Sequence, residues 1–179
     1  MMTSLLRVMY APLDYIHPAY FAKPERSLTA SEQQAINHTL IRRYHLNTSL
    51  DFSVRSNDIA RLISEWRAIP QVAWLLGCKL ARGSLAMDGH LASLPPYARQ
   101  FVDLPVICPA LPLHGPISQS AIEMHGARYL FQWQAQLPES LAQRLPLLFA
   151  PDNSVPCKDL VLNRSLLTFA FDYAKNFQH

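Results

Sequence analysis

The stretch Trp66 to Gly83, WRAIPQVAWLLGCKLARG, sets a cysteine directly after a glycine, with Lys79 and Arg82 close by. A cysteine attacks as its thiolate, and a cation, a histidinium or a helix N-terminus lowers its pKa to that end. Around Cys78, however, the residues are apolar. Val72, Ala73, Leu75, Leu76, Cys78 and Leu80 make the segment greasy nearly all round, the pattern of a central core helix. A thiol in mid-helix and buried has its pKa raised and is inert. We therefore read Cys78 as a packing residue. Gly77 costs roughly 1 kcal/mol relative to alanine within a helix, and close approach of a second helix backbone is the simplest compensation. No phosphate-cradling GxxxxGK[ST] or GxGxxG pattern surrounds it.

Seven histidines raise the question of metal. His38 and His45 stand two helical turns apart with no third ligand between them, and no HExxH or paired CxxC exists. No metal site and no cofactor are expected. His17 precedes Pro18, which pushes it to an extended conformation; the expectation is that its ring donates to a backbone carbonyl and pins a packed lead-in. Asp58, Glu65, Asp88, Asp103, Glu123 and Glu139 fall mostly at helix ends, where caps and dipoles account for them. Ser118 and Ser120 lack the GxSxG elbow.

Helices must position these groups, and proline punctuates them, with fourteen Pro against five Gly. Tyr10 to Pro24 reads as an extended lead-in. Thr29 and Glu32 have capping-box spacing, opening a helix whose Ile36, Leu40, Ile41 and Tyr44 share a face. A connector follows over Asn47 to Asn57, with a short strand around Phe52 to Val54. Ser56 or Asn57 caps the next helix, which buries Ile59, Leu62, Ile63 and Trp66. Pro70 starts the Cys78 helix, since proline costs little in a first turn. Ser84 to Met87 is a short helical piece. Pro95-Pro96 opens a helix facing Tyr97, Phe101 and Leu104 inward. Val106 to Ser118 is a proline-rich loop, where a lobe boundary or mobile segment would fall. Ser120 and Glu123 form a second capping box, for a helix to about Gln136. Pro138 to Leu145 is a helix stopped by Pro146, and Pro156 starts a last one reaching Asn176. Leu160, Val161, Leu166, Leu167, Phe169, Ala170, Tyr173 and Ala174 form its broad face. The fold class is mainly α, a single helical domain over residues 1–179 with short extended segments.

The 179 residues suffice for a real core. A net charge of +3 with scattered basic residues gives no footprint for nucleic acid or anionic membrane. Three distant cysteines, Cys78, Cys108 and Cys157, argue for a reducing compartment. The start MMTSLLRVMYAPL reads as mature protein, and no apolar run approaches a membrane span. The cytoplasm is the expected location, with no small-molecule ligand.

Trp66, Trp74, Tyr97, Trp133 and Tyr173 serve either a core or an interface, where aromatics lead the hot spots. Tyr15, His17, Pro18, Trp66, Pro70, Trp74, Gly77 and Cys78 are expected in structural roles. Arg43, Arg67, Gln71 and Gln143 are expected to face solvent and stand as partner contacts. Three functions compete: a helical adaptor, a small enzyme using Cys78, and a nucleic-acid-binding module, which would need a clustered basic face.

Five stretches carry a family resemblance: APLDYIHPAY (Ala11 to Tyr20), EWRAIPQVAWLLGCKLARGSL (Glu65 to Leu85), LPPYARQF (Leu94 to Phe101), LPESLAQRLPLLF (Leu137 to Phe149) and FDYAKNF (Phe171 to Phe177). In this order the chain resembles the OrgA/MxiK/SctK family of type III secretion accessory proteins, nearest its OrgA branch. The resemblance implies a non-enzymatic cytosolic component of the injectisome sorting platform. It implies a place at the inner-membrane face, between pods of the SctQ-type protein and the cytosolic domain of the SctD-type ring protein, required for platform assembly and secretion. It implies a mainly helical fold and supplies no catalytic residue or cofactor.

Overall fold

Helix α1 (Met2–Tyr10) begins a chain that, in this computed structural model, is described over residues 2–50, 57–87, 89–151 and 161–175. Leu5, Val8 and Met9 recur at helical spacing, and Val8 and Met9 are buried. A 3₁₀ turn (Pro12–Asp14) follows, then α2 (Ala30–Arg43) and α3 (Asn57–Ser64). Beyond a second 3₁₀ turn (Trp66–Ala68) come α4 (Ile69–Leu80), α5 (Arg82–Met87), α6 (His90–Ser93) and α7 (Pro96–Asp103). The chain ends with α8 (Gln119–Leu130), a 3₁₀ stretch (Phe131–Gln136), α9 (Glu139–Ala142), another 3₁₀ turn (Leu145–Leu148) and α10 (Arg164–Lys175). The class is mainly α, and no strand occurs among the described residues.

The chain condenses into two units, residues 1–67 with 134–153, and 68–133 with 154–179. The 106–118 loop thus lies within the second unit and is not where the units part.

In the first unit, α2 forms where the sequence places it. Thr29 Oγ1 accepts from the Glu32 amide (3.3 Å) while Glu32 Oε2 accepts from the Thr29 amide (2.8 Å), a complete capping box. Leu40 is buried with Leu13, Ile16, Leu46 and Leu147; Ile36, Ile41 and Tyr44 pack against that cluster. His45 closes α2 in the left-handed region (φ 50°), with its amide on Arg42 O and the Leu46 amide on Ile41 O. That is a Schellman close in which a histidine stands where glycine is usual. In α3, Leu62 and Ile63 are buried, as is Trp66 just beyond it, and Ile59 is half-buried. The strand expected around Phe52 to Val54, and Ser56 as a cap, lie outside the described residues. Pro146 does not end a helix; it sits in the first turn of the Leu145–Leu148 3₁₀ turn, where its fixed φ is tolerated.

In the second unit α4 is the centre. Ten of its twelve residues are buried, and α5, α7, α8 and α10 pack against it. Pro70 stands in its first turn, as expected. The cap of α8 is Ser118, in place of the expected Ser120: Ser118 is extended (φ −133°, ψ 161°) and its Oγ accepts from the Ala121 amide at 3.1 Å. Ser120 already lies inside the helix and pairs its hydroxyl with that of Ser118. The helix tightens to 3₁₀ at Phe131, short of Gln136.

The last helix starts later than Pro156 predicts. Its first residue is Arg164, and Asn163 Oδ1 accepts from the Leu166 amide at 3.2 Å, a side-chain cap that fixes the start. Val161 is exposed and outside the helix, and Phe169 is 39% exposed, so neither joins the buried face of Leu166, Leu167, Ala170, Phe171 and Ala174. Pro156, Leu160 and Asn176 lie outside the described residues. Tyr173 packs on Phe101 of α7, ring centroids 5.6 Å apart.

Candidate functional site

Gly77 sits where α4 crosses α8. A Cβ there would strike the carbonyl of Ile122, and one on Gly126 would strike that of Ala73. Two bare backbones in contact are what the sequence asked for at Gly77; Gly126, its counterpart on α8, was missed despite carrying the same signal, a glycine inside a helix. Cys78, next along α4, is fully buried, and burial pushes its thiol up to about 12. The geometry opposes a nucleophilic role: at neutral pH the group stays a neutral thiol packed in the core. His125 of α8 is likewise structural, its Nε2 3.2 Å from Leu111 O and its pKa lowered chiefly by burial. Among the described residues no group of three His, Cys, Asp or Glu side chains is placed to hold a metal ion. No helix there is long and apolar enough to cross a membrane.

The aromatic anchors divide by unit. Tyr15 and Trp66 meet edge to face at 5.7 Å, and the Tyr15 hydroxyl donates to Val8 O at 2.9 Å. Burial raises the Tyr15 phenol well above its ordinary range, against the pull of Arg144. In the second unit Trp74 and Tyr97 lie 6.3 Å apart beside a cavity of about 410 Å³ that Gln71, Leu94, Ile117 and Ile122 also line.

His17 pins the lead-in by a different route from the one expected. Its ring Nδ1 accepts from the Ala19 amide (3.1 Å), across the exposed Pro18, and its backbone amide donates to Leu147 O (2.8 Å). The ring is turned back on its own chain because the turn after Pro18 leaves the Ala19 amide in want of an acceptor.

Of the four side chains expected at the surface, Arg43 and Arg67 are exposed. Arg43 lies over the Tyr44 ring (5.6 Å), and Arg67 pairs with Asp14 at 2.8 Å. Gln71 and Gln143 depart from the expectation, being half-buried and internally bonded. Gln71 donates to the Tyr97 hydroxyl (3.2 Å); Gln143 Oε1 accepts from the Asn47 amide (2.6 Å) while its Nε2 donates to Glu139 (3.1 Å). Buried backbone and hydroxyl groups need partners, and these amides supply them.

Two buried cations escaped sequence reasoning. Arg144 is wholly buried, its Nη1 donating to Asn47 O (2.8 Å) and Ser140 O (2.7 Å) and its Nη2 to Met9 O (2.8 Å). It ties α1, α9 and the Asn47 connector together inside the first unit. Lys79 of α4 donates to Val102 O (2.6 Å) and Leu104 O (2.5 Å), closing the C-terminus of α7. Burial lowers the pKa of both cations.

Each unit also turns apolar side chains outward. In the first, Met2, Leu6 and Tyr10 recur every four residues along α1 and are all exposed. In the second, Ile107 and Val161 are 91% and 88% exposed on their loops.

The family described as bacterial type III secretion apparatus protein (OrgA_MxiK) matches residues 5–176. The chain is 31% identical over 177 residues to oxygen-regulated invasion protein OrgA of Salmonella typhimurium strains SL1344 and LT2, covering 96% of this chain and 86% of the relative. The same protein of strain 14028s matches to the same extent. No solved structure matches. The chain belongs to the OrgA/MxiK family of bacterial type III secretion apparatus proteins.

Proposed function

We propose that this chain is a non-enzymatic adaptor of the injectisome sorting platform, joining the SctQ-type pod protein to the cytosolic domain of the SctD-type inner ring. It works at the cytosolic face of the inner membrane, and platform assembly and secretion depend on it. The supporting observation is that two separately built units each hold their own exposed apolar residues, Met2, Leu6 and Tyr10 in one, Ile107 and Val161 in the other. Two partners need two faces, and exposed apolar groups on a rigid support mark interaction sites. Family membership supports the same reading. Arg43 and Arg67, exposed on the first unit, are the polar contacts we assign to a partner. Gln71 and Gln143, half-buried and internally bonded, we place behind the contact surface as support.

The test is binary binding. Purified whole chain, verified folded by circular dichroism, is presented to each partner by biolayer interferometry. Saturable binding to both is expected, and failure to bind either one would overturn the reading.

A further inference from the structure

The proline-rich segment between α7 and α8 is held from several sides. Lys79 takes the carbonyl of Leu104, and Asn163 Nδ2 donates to Ile107 O at 3.0 Å. The Leu111 amide donates to Leu80 O (3.0 Å), the Leu113 amide to Ser84 Oγ (3.0 Å), and His125 Nε2 meets Leu111 O. Proline removes donors from a segment, and groups from α4, α5, α8 and the residue before α10 bond what remains. Hydrogen bonds from several helices thus strap the segment along its length.

This pinned segment nevertheless turns Ile107 to solvent, and Asn163, which holds the Ile107 carbonyl, lies two residues from the equally exposed Val161. Beside Ile107 runs a groove of about 620 Å³. Its apolar wall includes Leu80, Ala86 and Leu104; Lys79 and Arg82 also line it, and among the described residues no carboxylate does. Lys79 is 5% exposed as a residue, and both bonds of its ammonium go to neutral carbonyls. Arg82 pairs with Asp103 at 3.1 Å, but both side chains are more than half exposed, where such a pair is worth little. A largely buried ammonium bonded to neutral carbonyls, with Asp103 acting on it only through space, gains more from an arriving anion than a surface lysine does.

We propose that this groove is a docking site for an acidic, apolar-flanked segment of a protein partner. Ile107 packs against the partner's apolar side chains, and its carboxylates meet Arg82 at the rim, with the buried Lys79 charge behind it. The strapping means that little loop entropy is lost on binding. That the partner is one of the two apparatus proteins rests on the adaptor reading; the chemistry of the groove does not.

The test titrates the whole chain into a fluorescein-labelled peptide of interspersed Glu and Leu, and into its counterpart with Lys for Glu. The Glu peptide is expected to bind at least tenfold more tightly. Ile107→Glu and Arg82→Glu should each weaken it about tenfold or more, while Lys23→Glu, at an exposed position on the first unit, leaves it unchanged. Equal binding of the two peptides overturns the proposal. So does indifference to both groove substitutions in folded protein, or their acting on binding to phosphatidylglycerol vesicles in place of the peptide. Binding to the ring and pod proteins is measured alongside. Wild-type binding to both with no peptide preference removes the groove and leaves the adaptor; peptide preference without partner binding does the reverse.

Discussion

Gly126 of α8 faces Gly77 of α4 so closely that a Cβ on Gly126 would stand 2.6 Å from the Gly77 amide nitrogen. On an open helix, glycine to alanine gains up to about 1 kcal/mol. Here Gly126→Ala and Gly77→Ala should each cost about 1–3 kcal/mol through overpacking, and Gly77→Leu more. Gly83 in α5 is the internal control: nothing lies within 4 Å of its Cβ position, and Gly83→Ala should be neutral or stabilising. Urea denaturation of the four variants checks the contrast.

Arg144 serves three carbonyls from the interior of the first unit. Removing it leaves them without their donor, at about 1–3 kcal/mol for each that stays unsatisfied. Arg144→Met should therefore cost at least about 3 kcal/mol. Arg144→Lys should recover only part of this, because an ammonium lacks the planar fork that reaches carbonyls on separate elements. Chemical denaturation of both variants gives the order.

Glu32 carries the acid dependence of α2. The Arg26 guanidinium, forked onto its carboxylate at 2.6 and 3.1 Å, and the Thr29 amide and hydroxyl hold its pKa down at about 2. A depressed carboxyl pKa contributes stability that is fully present above the unfolded value of about 4.5 and is lost as pH falls toward about 2. A carbon-detected NMR titration should place the Glu32 midpoint well below the ordinary carboxylate range. Arg26→Ala should raise it.

Cys78, with its thiol pushed up to about 12, should resist iodoacetamide in the native state and react once denatured. Cys108, half-buried, should react sooner. Peptide mapping by mass spectrometry follows the two separately. Native alkylation of Cys78 at the rate of a free thiol would contradict the packing described for α4.

Much of the helical frame was legible because its signals are local. Thr29 and Glu32 are three apart, Pro70 sits at a helix start, and Gly77 interrupts an apolar run. What was not legible depends on distance along the chain. Arg144 reads as an ordinary surface residue in LAQRLPLLF until Met9, 135 residues away, and Asn47, 97 away, supply its acceptors. Lys79 reads the same way until α7 ends beneath it. The start of α10 was misjudged at a proline because the true cap, Asn163, is chosen by its bonds to Tyr129 and Ile107 as well as by the helix. Ser118 and Ser120 differ only in which is extended, a matter the sequence pattern leaves open.

Bridging is the property that distinguishes an adaptor from a subunit that binds one neighbour. Native mass spectrometry of the SctD-type cytosolic domain mixed with the SctQ-type pod protein, with and without this chain, reads it directly. The expected result is one complex containing all three proteins, with the domain and the pod protein joined only when the chain is present. Ring and pod proteins that associate equally well without it, or folded chain that never occurs with both in one complex, would contradict the adaptor role.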